Sequence, residues 1–358
     1  MSTERVRSAP RFRITYQTAL LTLMVVLVLV FGLIEPVFFQ PDVLFDVTSI
    51  VGEIGIMALA MTFIITTGGI DLSVGYILQF AAIVFGVTFT ATGSLPLAIL
   101  LAVLCGAACG LVNGAIIAGT RIPPLVTTLA TMNLFRGLSF IIAGTESYAG
   151  FPEGFKKLST TLVFGVVPIQ FFYFLALFLI FHLFFVRGSL GRILRGIGYN
   201  EPALIFSGLR TKRTLLLIYT LSGVMCGLAA LVYLGRLSSA KTSMGNDLNL
   251  QVITAVVLGG TSIMGGVGSV AGTFIGVLII GILRKGFTLL NLSGNIFNFT
   301  LGLTLIVALV VFAALEERKK VSGARMRAQV RSAPVGPPDR AAPRGEAGRA
   351  PGEISKVQ

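Results

Sequence analysis

The side chains able to do chemistry in this sequence are few, and they do not gather into a catalytic set. The single histidine, His182, and the three cysteines, Cys105, Cys109 and Cys226, all fall in apolar stretches. A metal centre needs histidine, cysteine or carboxylate neighbours at ligand spacing, and none of these has them. The cysteines therefore read as small packing residues, and no metal site or cofactor is expected. The nearest approach to a phosphate-binding loop is Gly235-Arg236-Leu237-Ser238-Ser239-Ala240-Lys241-Thr242. Ala240 stands where that loop requires glycine, and no strand of a soluble domain precedes it. With no nucleotide site, and no nucleophile, base and orienting group together, an enzyme is not expected.

What remains is polar residues in glycine-rich breaks and isolated ionisable residues in apolar runs. The first break is Thr67-Gly68-Gly69-Ile70-Asp71-Leu72-Ser73-Val74-Gly75. Paired glycines interrupt a helix cheaply because they accept positive φ. Asp71 and Ser73 then stand near the start of the next helix, where a side-chain oxygen caps free N–H groups. An ionisable residue within a membrane protein also marks a functional site. Residue types alone leave both roles open for Asp71. A second break, Leu258 to Ser269, repeats the plan of helix, paired glycine, hydroxyl and helix through Gly259, Gly260, Thr261 and Ser262. Broken helices at corresponding places in two halves point to a transport path.

Two further features carry chemistry. Arg136, with Asn133 one turn before it, sits in an otherwise apolar run. A lipid-facing arginine is costly, so Arg136 is expected to face the bundle interior. It would line a pathway or partner a backbone carbonyl or a helix C-terminus. The third glycine-rich segment runs from Gly191 through Gly198-Tyr199-Asn200-Glu201-Pro202-Ala203 to Ser207-Gly208-Leu209. Asn200 suits a helix cap, Pro202 its first turn and Gly208 its end. A short amphipathic helix of this kind along a membrane face is what a soluble partner could grip; the alternative is a solvated basic loop.

Apolar helices must hold these segments in place. Apolar residues make up 54% of the 358 and charged residues 12%, against roughly 25% charged in soluble domains, and mean hydropathy is +0.90. The stretch from Thr18 to Ile34 carries no charge, and about 20 such residues cross a bilayer. Backbone groups in lipid must be satisfied internally, by helices or a closed barrel. Runs such as Leu21 to Val30 do not alternate as barrel strands do. The expected fold is therefore all-α: a polytopic helical membrane protein of about ten transmembrane helices, some broken at the Gly-rich motifs. The expected spans are 18–34, 48–67, 74–92, 95–118, 124–143, 162–186, 214–235, 250–265, 268–285 and 295–315. Glycines four apart within spans, Gly106 and Gly110 or Gly272 and Gly276, let helix backbones approach closely.

The net charge of +13 is concentrated before Thr18, between Arg187 and Arg213, and after Glu316. That is the pattern of cytoplasmic segments facing anionic headgroups, not of nucleic-acid binding. Both termini are expected in the cytoplasm, with Glu35, Asp42, Asp46, Lys156, Lys157, Arg236, Lys241 and, at a span end, Arg284 and Lys285 outside. The first apolar run lacks a small-residue cleavage site and reads as a retained helix. The domain plan is a cytoplasmic segment 1–17, a membrane domain 18–315 with a cytoplasmic loop at about 187–213, and a basic tail 316–358. The tail is rich in Pro, Gly, Ala and Arg and is expected to be disordered.

Four stretches together resemble the sugar-type permease family of ATP-binding-cassette importers, the family of the ribose, xylose and galactose permeases. They are Gly68 to Gly75; Asn113-Gly114 with Arg121-Ile122-Pro123-Pro124 and Thr131 to Arg136-Gly137; Gly198 to Gly208; and Val256 to Ser262. Order and spacing are kept from about residue 48 to 315. The resemblance implies a permease subunit in the bacterial inner membrane, forming the translocation pathway for a monosaccharide or sugar-like solute. It also implies a second permease subunit, identical or not, a cytoplasmic ATPase subunit and a periplasmic solute-binding protein. Pathway or gate candidates are then Gly68, Gly69, Asp71, Ser73, Gly75, Asn133, Arg136, Gly259, Gly260, Thr261 and Ser262. Candidates for coupling to the ATPase are Gly198, Asn200, Glu201, Ser207 and Gly208. The sequence departs from the family at Tyr199-Asn200-Glu201, where a second glycine and a second acid are commoner, and at Ala60, where glycine is usual. Phe151-Pro152-Glu153-Gly154-Phe155 is similar to the rhamnose and autoinducer-2 permeases. The alternatives are an ion-coupled secondary transporter, which calls for more buried acids and histidines, and a membrane scaffold with no transport role.

Overall fold

Long apolar runs fold into helices whose lengths match a bilayer, and the breaks between them fall at glycine and proline. The computed structural model describes residues 16–120 and 122–310. Arg121, most of the expected N-terminal segment and the expected tail lie outside the described residues. The helices are α1 (Tyr16–Ile34), α2 (Pro41–Ile50), α3 (Gly52–Thr66), α4 (Val74–Thr92), α5 (Leu95–Gly119), α6 (Pro124–Ala143), α7 (Glu153–Thr160), α8 (Ile169–Val186), α9 (Ser189–Phe206), α10 (Thr211–Leu237), α11 (Leu248–Leu258) and α12 (Val270–Leu289). A further helix, α13, covers Gly294–Val310. A single 3-10 turn, Pro36–Phe39, joins α1 to α2.

Helix α3 is the centre of the bundle. It is apolar all round, as a fully enclosed helix must be, and every residue from Gly52 to Thr66 is buried. Helices α5 and α10 pack backbone to backbone. A Cβ added at Gly110 would stand 2.9 Å from the Gly223 Cα, and one at Gly106 3.1 Å from the Gly227 Cα. Small residues at such a crossing let dispersion contacts form along the main chain. Gly272 and Gly276 of α12 meet Gly259 and Ala255 of α11 in the same way.

The described helices are a polytopic membrane fold, but they do not divide as the ten expected spans do. Among the described residues seven are long and apolar enough to cross alone, and α2 with α3, bent by 49° at their junction, make an eighth if the pair is one span. The expected sixth span begins late. Residues 162–168 form a hairpin of β2 (Leu162–Val163) and β3 (Val167–Pro168), turned by Phe164 and Gly165 at positive φ. The expected eighth span, 250–265, is only the 11-residue α11, because Gly259 and Gly260 end it. Helix α13 falls in the expected tenth span, whose residues 311–315 lie outside the described residues.

The largest departure is residues 238–247, expected as an external loop. After α10 the chain forms β4 (Ser239–Lys241), antiparallel to β1 (Ser147–Ala149), and then runs along α4. Ala240 meets Gly86, where an added Cβ would be 3.2 Å from that of Ala240. The Gln79 amide nitrogen, in the orientation its surroundings satisfy, donates to the carbonyls of Thr242 (3.1 Å) and Met244 (2.7 Å). The Gly245 carbonyl lies 2.5 Å from where a Cβ of Gly75 would stand. Gly86 to Gly75 is about 16 Å of helix, so the segment, a short strand followed by turns at 242–247, descends about that far into the bundle before α11 starts.

Candidate translocation and coupling site

The first break closes α3 and opens α4. Gly68 takes φ +83, and the N–H groups of Thr67 and Gly69 both return to the Ile64 carbonyl, at 3.0 and 3.3 Å. The wall against Gly69 is the Tyr219 hydroxyl, 2.6 Å from an added Cβ. Asp71 is fully buried. Its Oδ1 accepts from the Ser73 N–H at 2.9 Å and from the Ser73 hydroxyl at 2.5 Å. The Asn113 amide on α5 donates to the Ser73 hydroxyl at 2.8 Å. The Thr128 hydroxyl on α6 donates to the Ile70 carbonyl at 3.0 Å. The turn is thus tied to α5 and α6, and the aspartate answers a backbone donor where α4 begins. Its Oδ2 has no hydrogen-bond partner among the described residues.

The second break has the same construction at α11 and α12. Gly260 takes φ +86, and the Tyr16 hydroxyl of α1 donates to the Leu258 carbonyl at 2.8 Å. The Thr261 hydroxyl accepts from the Ser269 N–H at 3.3 Å, and Ser269 caps α12 by accepting from the Gly272 N–H at 2.9 Å. The Ser262 main chain closes a turn with Gly265 and Val267, while its hydroxyl is buried with no partner among the described residues.

The third segment binds the other two together. Helix α9 changes direction at Asn200, whose backbone is extended (φ −163°, ψ 86°). The Asn200 Oδ1 accepts from the Ala203 N–H at 3.1 Å, so a short second helix follows, and it ends at Gly208 with φ +80. Just before that bend, Gly198 presses on the Gly266 nitrogen and the Thr66 carbonyl, closer than any Cβ allows. Those two atoms are themselves hydrogen-bonded at 2.8 Å. An added Cβ at Gly265 would be 2.8 Å from the Gly68 nitrogen and 2.9 Å from the Gly198 Cα. The Tyr199 ring covers Gly266. Three segments far apart in sequence therefore meet as main chain against main chain. A cavity of about 810 Å³ opens beside them, lined by Gly68, Gly69, Thr120, Pro123, Glu201 and Lys212 among others.

Comparison with known proteins identifies this arrangement. Residues 43–309 match the family described as branched-chain amino acid transport system / permease component. The chain belongs to this family. Among curated relatives, the autoinducer 2 import system permease protein LsrD of Escherichia coli K12 is 36% identical over 306 residues, 84% of this chain and 92% of that protein. LsrD of Photorhabdus temperata is 34% identical over 317 residues, 87% of this chain and 95% of that protein. No solved structure matches the chain. The protein is thus a permease of an ATP-binding-cassette importer, a multi-pass membrane protein in which hydrolysis belongs to another subunit.

In the permease, Arg136 is not where the cost of a lipid-facing arginine was expected to put it. It lies on the exposed side of α6, outside the single-chain bundle, as does Asn133. Its guanidinium sits over the Tyr76 ring, 5.9 Å from the centroid, and among the described residues no acid pairs with it. Leaving an arginine in lipid near the middle of a span costs about 2.5–3.5 kcal/mol on insertion scales. The rule constrains contact with lipid, not the face of one chain, and a water-filled path or a second subunit satisfies it equally.

The permease also holds polar pairs that the sequence reading did not single out. Fully buried Glu53 on α3 accepts from Arg236 at the end of α10. Thr62 of α3 and Thr273 of α12 share a buried hydroxyl contact at 2.7 Å. Arg236 was expected outside; nothing in either local sequence links it to Glu53, 183 positions away.

Proposed function

We propose that this permease lines the path of a sugar-like solute of the autoinducer-2 class into the cytoplasm, working as one of two permease subunits with a cytoplasmic ATPase and a periplasmic solute-binding protein. The observation that carries the reading is the triple junction of Gly68, Gly198 and Gly265. One cytoplasmic helix touches the breaks of both broken helices, so force applied to that helix reaches both. The short helix from Glu201 to Gly208 is the segment offered to the ATPase, with Asn200 as its cap and Ser207 and Gly208 at its end. The breaks at Gly68, Gly69 and Gly75, and at Gly259 and Gly260, with Asp71, Ser73, Thr261 and Ser262, form the moving gate. Arg136 and Asn133 face the path. The basic residues of α9 and of the α9–α10 turn support a cytoplasmic position for this end, with both termini on the same side. The LsrD relatives support the solute class, because they match almost end to end.

A second reading, a branched-chain amino acid as solute, draws on the family's description. The two separate in one experiment. The permease is reconstituted in vesicles with its ATPase and binding protein, and uptake of autoinducer 2, ribose and leucine is measured against ATP hydrolysis. Coupled uptake of autoinducer 2 or ribose without leucine is the expected result. Coupled leucine uptake alone overturns the proposal, and a chain that copurifies with no ATPase removes the importer assembly itself.

A further inference from the structure

We propose that the cavity between α8 and α10, beside the start of α9, holds an acyl chain of an anionic phospholipid, with Arg187 and Arg213 binding the phosphate of its headgroup. The proposal adds a lipid partner to the permease reading, and rests on that reading only for naming the cytoplasmic leaflet as the source.

The cavity follows from how three helices pack. Helices α8 and α10 both lie against α3. Helix α8 turns Leu177, Ile180 and Phe184 to one side, and α10 turns Leu217, Leu221 and Leu228 to meet them. These spacings of three, four and seven form a single stripe on each helix. Between the stripes are two cavities. One, of about 480 Å³, lies at the α9 end with Phe63 of α3 in its wall. The other, of about 360 Å³, lies further along the same helices with Ile56 in its wall. Leu217 and Leu221 are about 9 and 15 Å along α10 from Thr211, so the first cavity occupies one half of a hydrocarbon core about 30 Å thick.

Its surroundings say what fills it. Ile180, Phe184 and Leu217 are 49%, 56% and 55% exposed, so the cavity opens on the outside of the bundle, where the bilayer is. Ser189 is the single polar side chain in its wall, too little to hold water, which needs two to four polar partners. An empty cavity would forfeit the dispersion contacts of its lining. A lipid tail restores them. None of the walls belongs to α6, the helix assigned above to the path, so the cavity is separate from the proposed solute route.

The charges at the rim choose the lipid. Arg187 adjoins Gly188 of the cavity wall, and Arg213 is one turn before Leu217 on the same face of α10. Both arginines are exposed, and neither side chain has a hydrogen bond or ion pair among the described residues. From Arg187 to Arg213 the chain has six basic residues and one acid, Glu201, and Glu201 lines the cavity beside Gly68 instead. Basic pockets between membrane helices on the cytoplasmic side take anionic headgroups, and a guanidinium fork suits phosphate.

The full chain has no tryptophan, so one introduced at the cavity reports alone. Phe184→Trp and Leu217→Trp change residues of its wall, and Leu104→Trp, at a position 52% exposed on α5, is the control. Each full-length variant is placed in phosphatidylcholine nanodiscs. The lipid is replaced stepwise by phosphatidylglycerol or phosphatidylcholine carrying bromine in the acyl chains, which quenches the emission. Both cavity reporters are expected to reach half-quenching at a mole fraction of brominated phosphatidylglycerol at least about fivefold below that of brominated phosphatidylcholine, the factor for about 1 kcal/mol per basic residue at a membrane surface. The control is expected to respond equally to the two lipids. Adding Arg187→Gln and Arg213→Gln is expected to remove the difference while quenching remains. Equal half-quenching by the two lipids at the cavity overturns the proposal, and so does a preference that survives both arginine changes. Emission that neither lipid quenches also overturns it, because protein then covers the cavity. The second reporter keeps the test in force where one tryptophan prevents insertion. The readout needs no solute, ATPase or binding protein, so failure of the transport reading shows separately, in the uptake experiment.

Discussion

Replacing Gly198 by alanine places a methyl group against two backbone atoms that cannot step aside separately. They are the Gly266 nitrogen and the Thr66 carbonyl oxygen, joined by their own hydrogen bond of 2.8 Å, with the Gly265 carbonyl carbon 2.9 Å away. Ordinary contact requires α9 to retreat by about 1 Å or the bond beneath it to open. Forcing a methyl group into a packed site costs about 1–3 kcal/mol, and losing the hydrogen bond adds about 0.5–1.5 kcal/mol. A shift of about 2 kcal/mol changes a two-state equilibrium roughly 30-fold. The junction is then weakened while the short helix after Asn200 keeps its own cap. The expected phenotype is a permease that inserts, melts at a lower temperature and binds its ATPase, but transports less solute per ATP hydrolysed. The comparison is Gly154→Ala on α7, where nothing lies within 4 Å of the new methyl and alanine is the better helix former. Uptake, ATP hydrolysis and melting temperature are measured for both in detergent and in vesicles. If Gly198→Ala cannot be told from Gly154→Ala in all three, the contact does not transmit force and the coupling argument fails.

The remaining predictions concern the same elements. Asp71→Asn keeps an acceptor for the Ser73 N–H and is expected to transport nearly normally, whereas Asp71→Ala loses about 0.5–2 kcal/mol of cap and is expected to insert poorly; inactive but fully inserted protein in both would show a charged role instead. Glu201→Lys and Gly208→Val, the second forcing a β-branched residue to positive φ, should each leave insertion intact and separate ATP hydrolysis from uptake, and normal solute-stimulated uptake in both contradicts the docking role. Arg236→Ala strands the buried Glu53 carboxylate at a cost of about 3–5 kcal/mol, so abundance should fall sharply and recover in part when Glu53→Gln is added. Independent, additive losses in that double variant would mean the pair is not coupled.

The breaks were legible because glycine leaves a local mark. Gly68 and Gly260 adopt backbone conformations that other residues resist, and the carboxylate or hydroxyl after each pair accepts from the residue just before the next helix, Ser73 or Ser269. The bend at Asn200 was legible for the same reason, since a cap and a following proline are neighbours in sequence. What escaped was whatever depends on residues far apart. The descent of 238–247 into the bundle is held by the Gln79 amide and by contact with Gly75 and Gly86, more than 150 positions earlier, and the segment itself is polar enough to pass for a loop. The late start of α8 rests on a hairpin too short to alternate. The ten spans were drawn from apolar length, which treats α11 as a crossing helix because the apolar run continues past Gly259, although the helix does not.

Arg136 shows a different limit. The energetic rule was sound, and its application to one chain placed the arginine on the wrong side of α6. A chain whose path is completed elsewhere can leave a charge on its own surface without exposing it to lipid, so the side on which such a charge emerges identifies where water or another subunit must be. The glycine contacts make the complementary point. Gly68, Gly198 and Gly265 lie in segments with no sequence relation, yet each meets the same need: backbone must touch backbone so that one helix can push on two turns. A side chain at Gly198 or Gly265 would have to part the touching backbones, whereas Gly68 is required by its φ of +83. Because protein interiors are close-packed and respond to displacement by switching rather than by flowing, the coupling proposed above needs main-chain contact of this kind, and the contact is tightest where Gly198 and Gly265 meet the backbone of Thr66, Gly68 and Gly266.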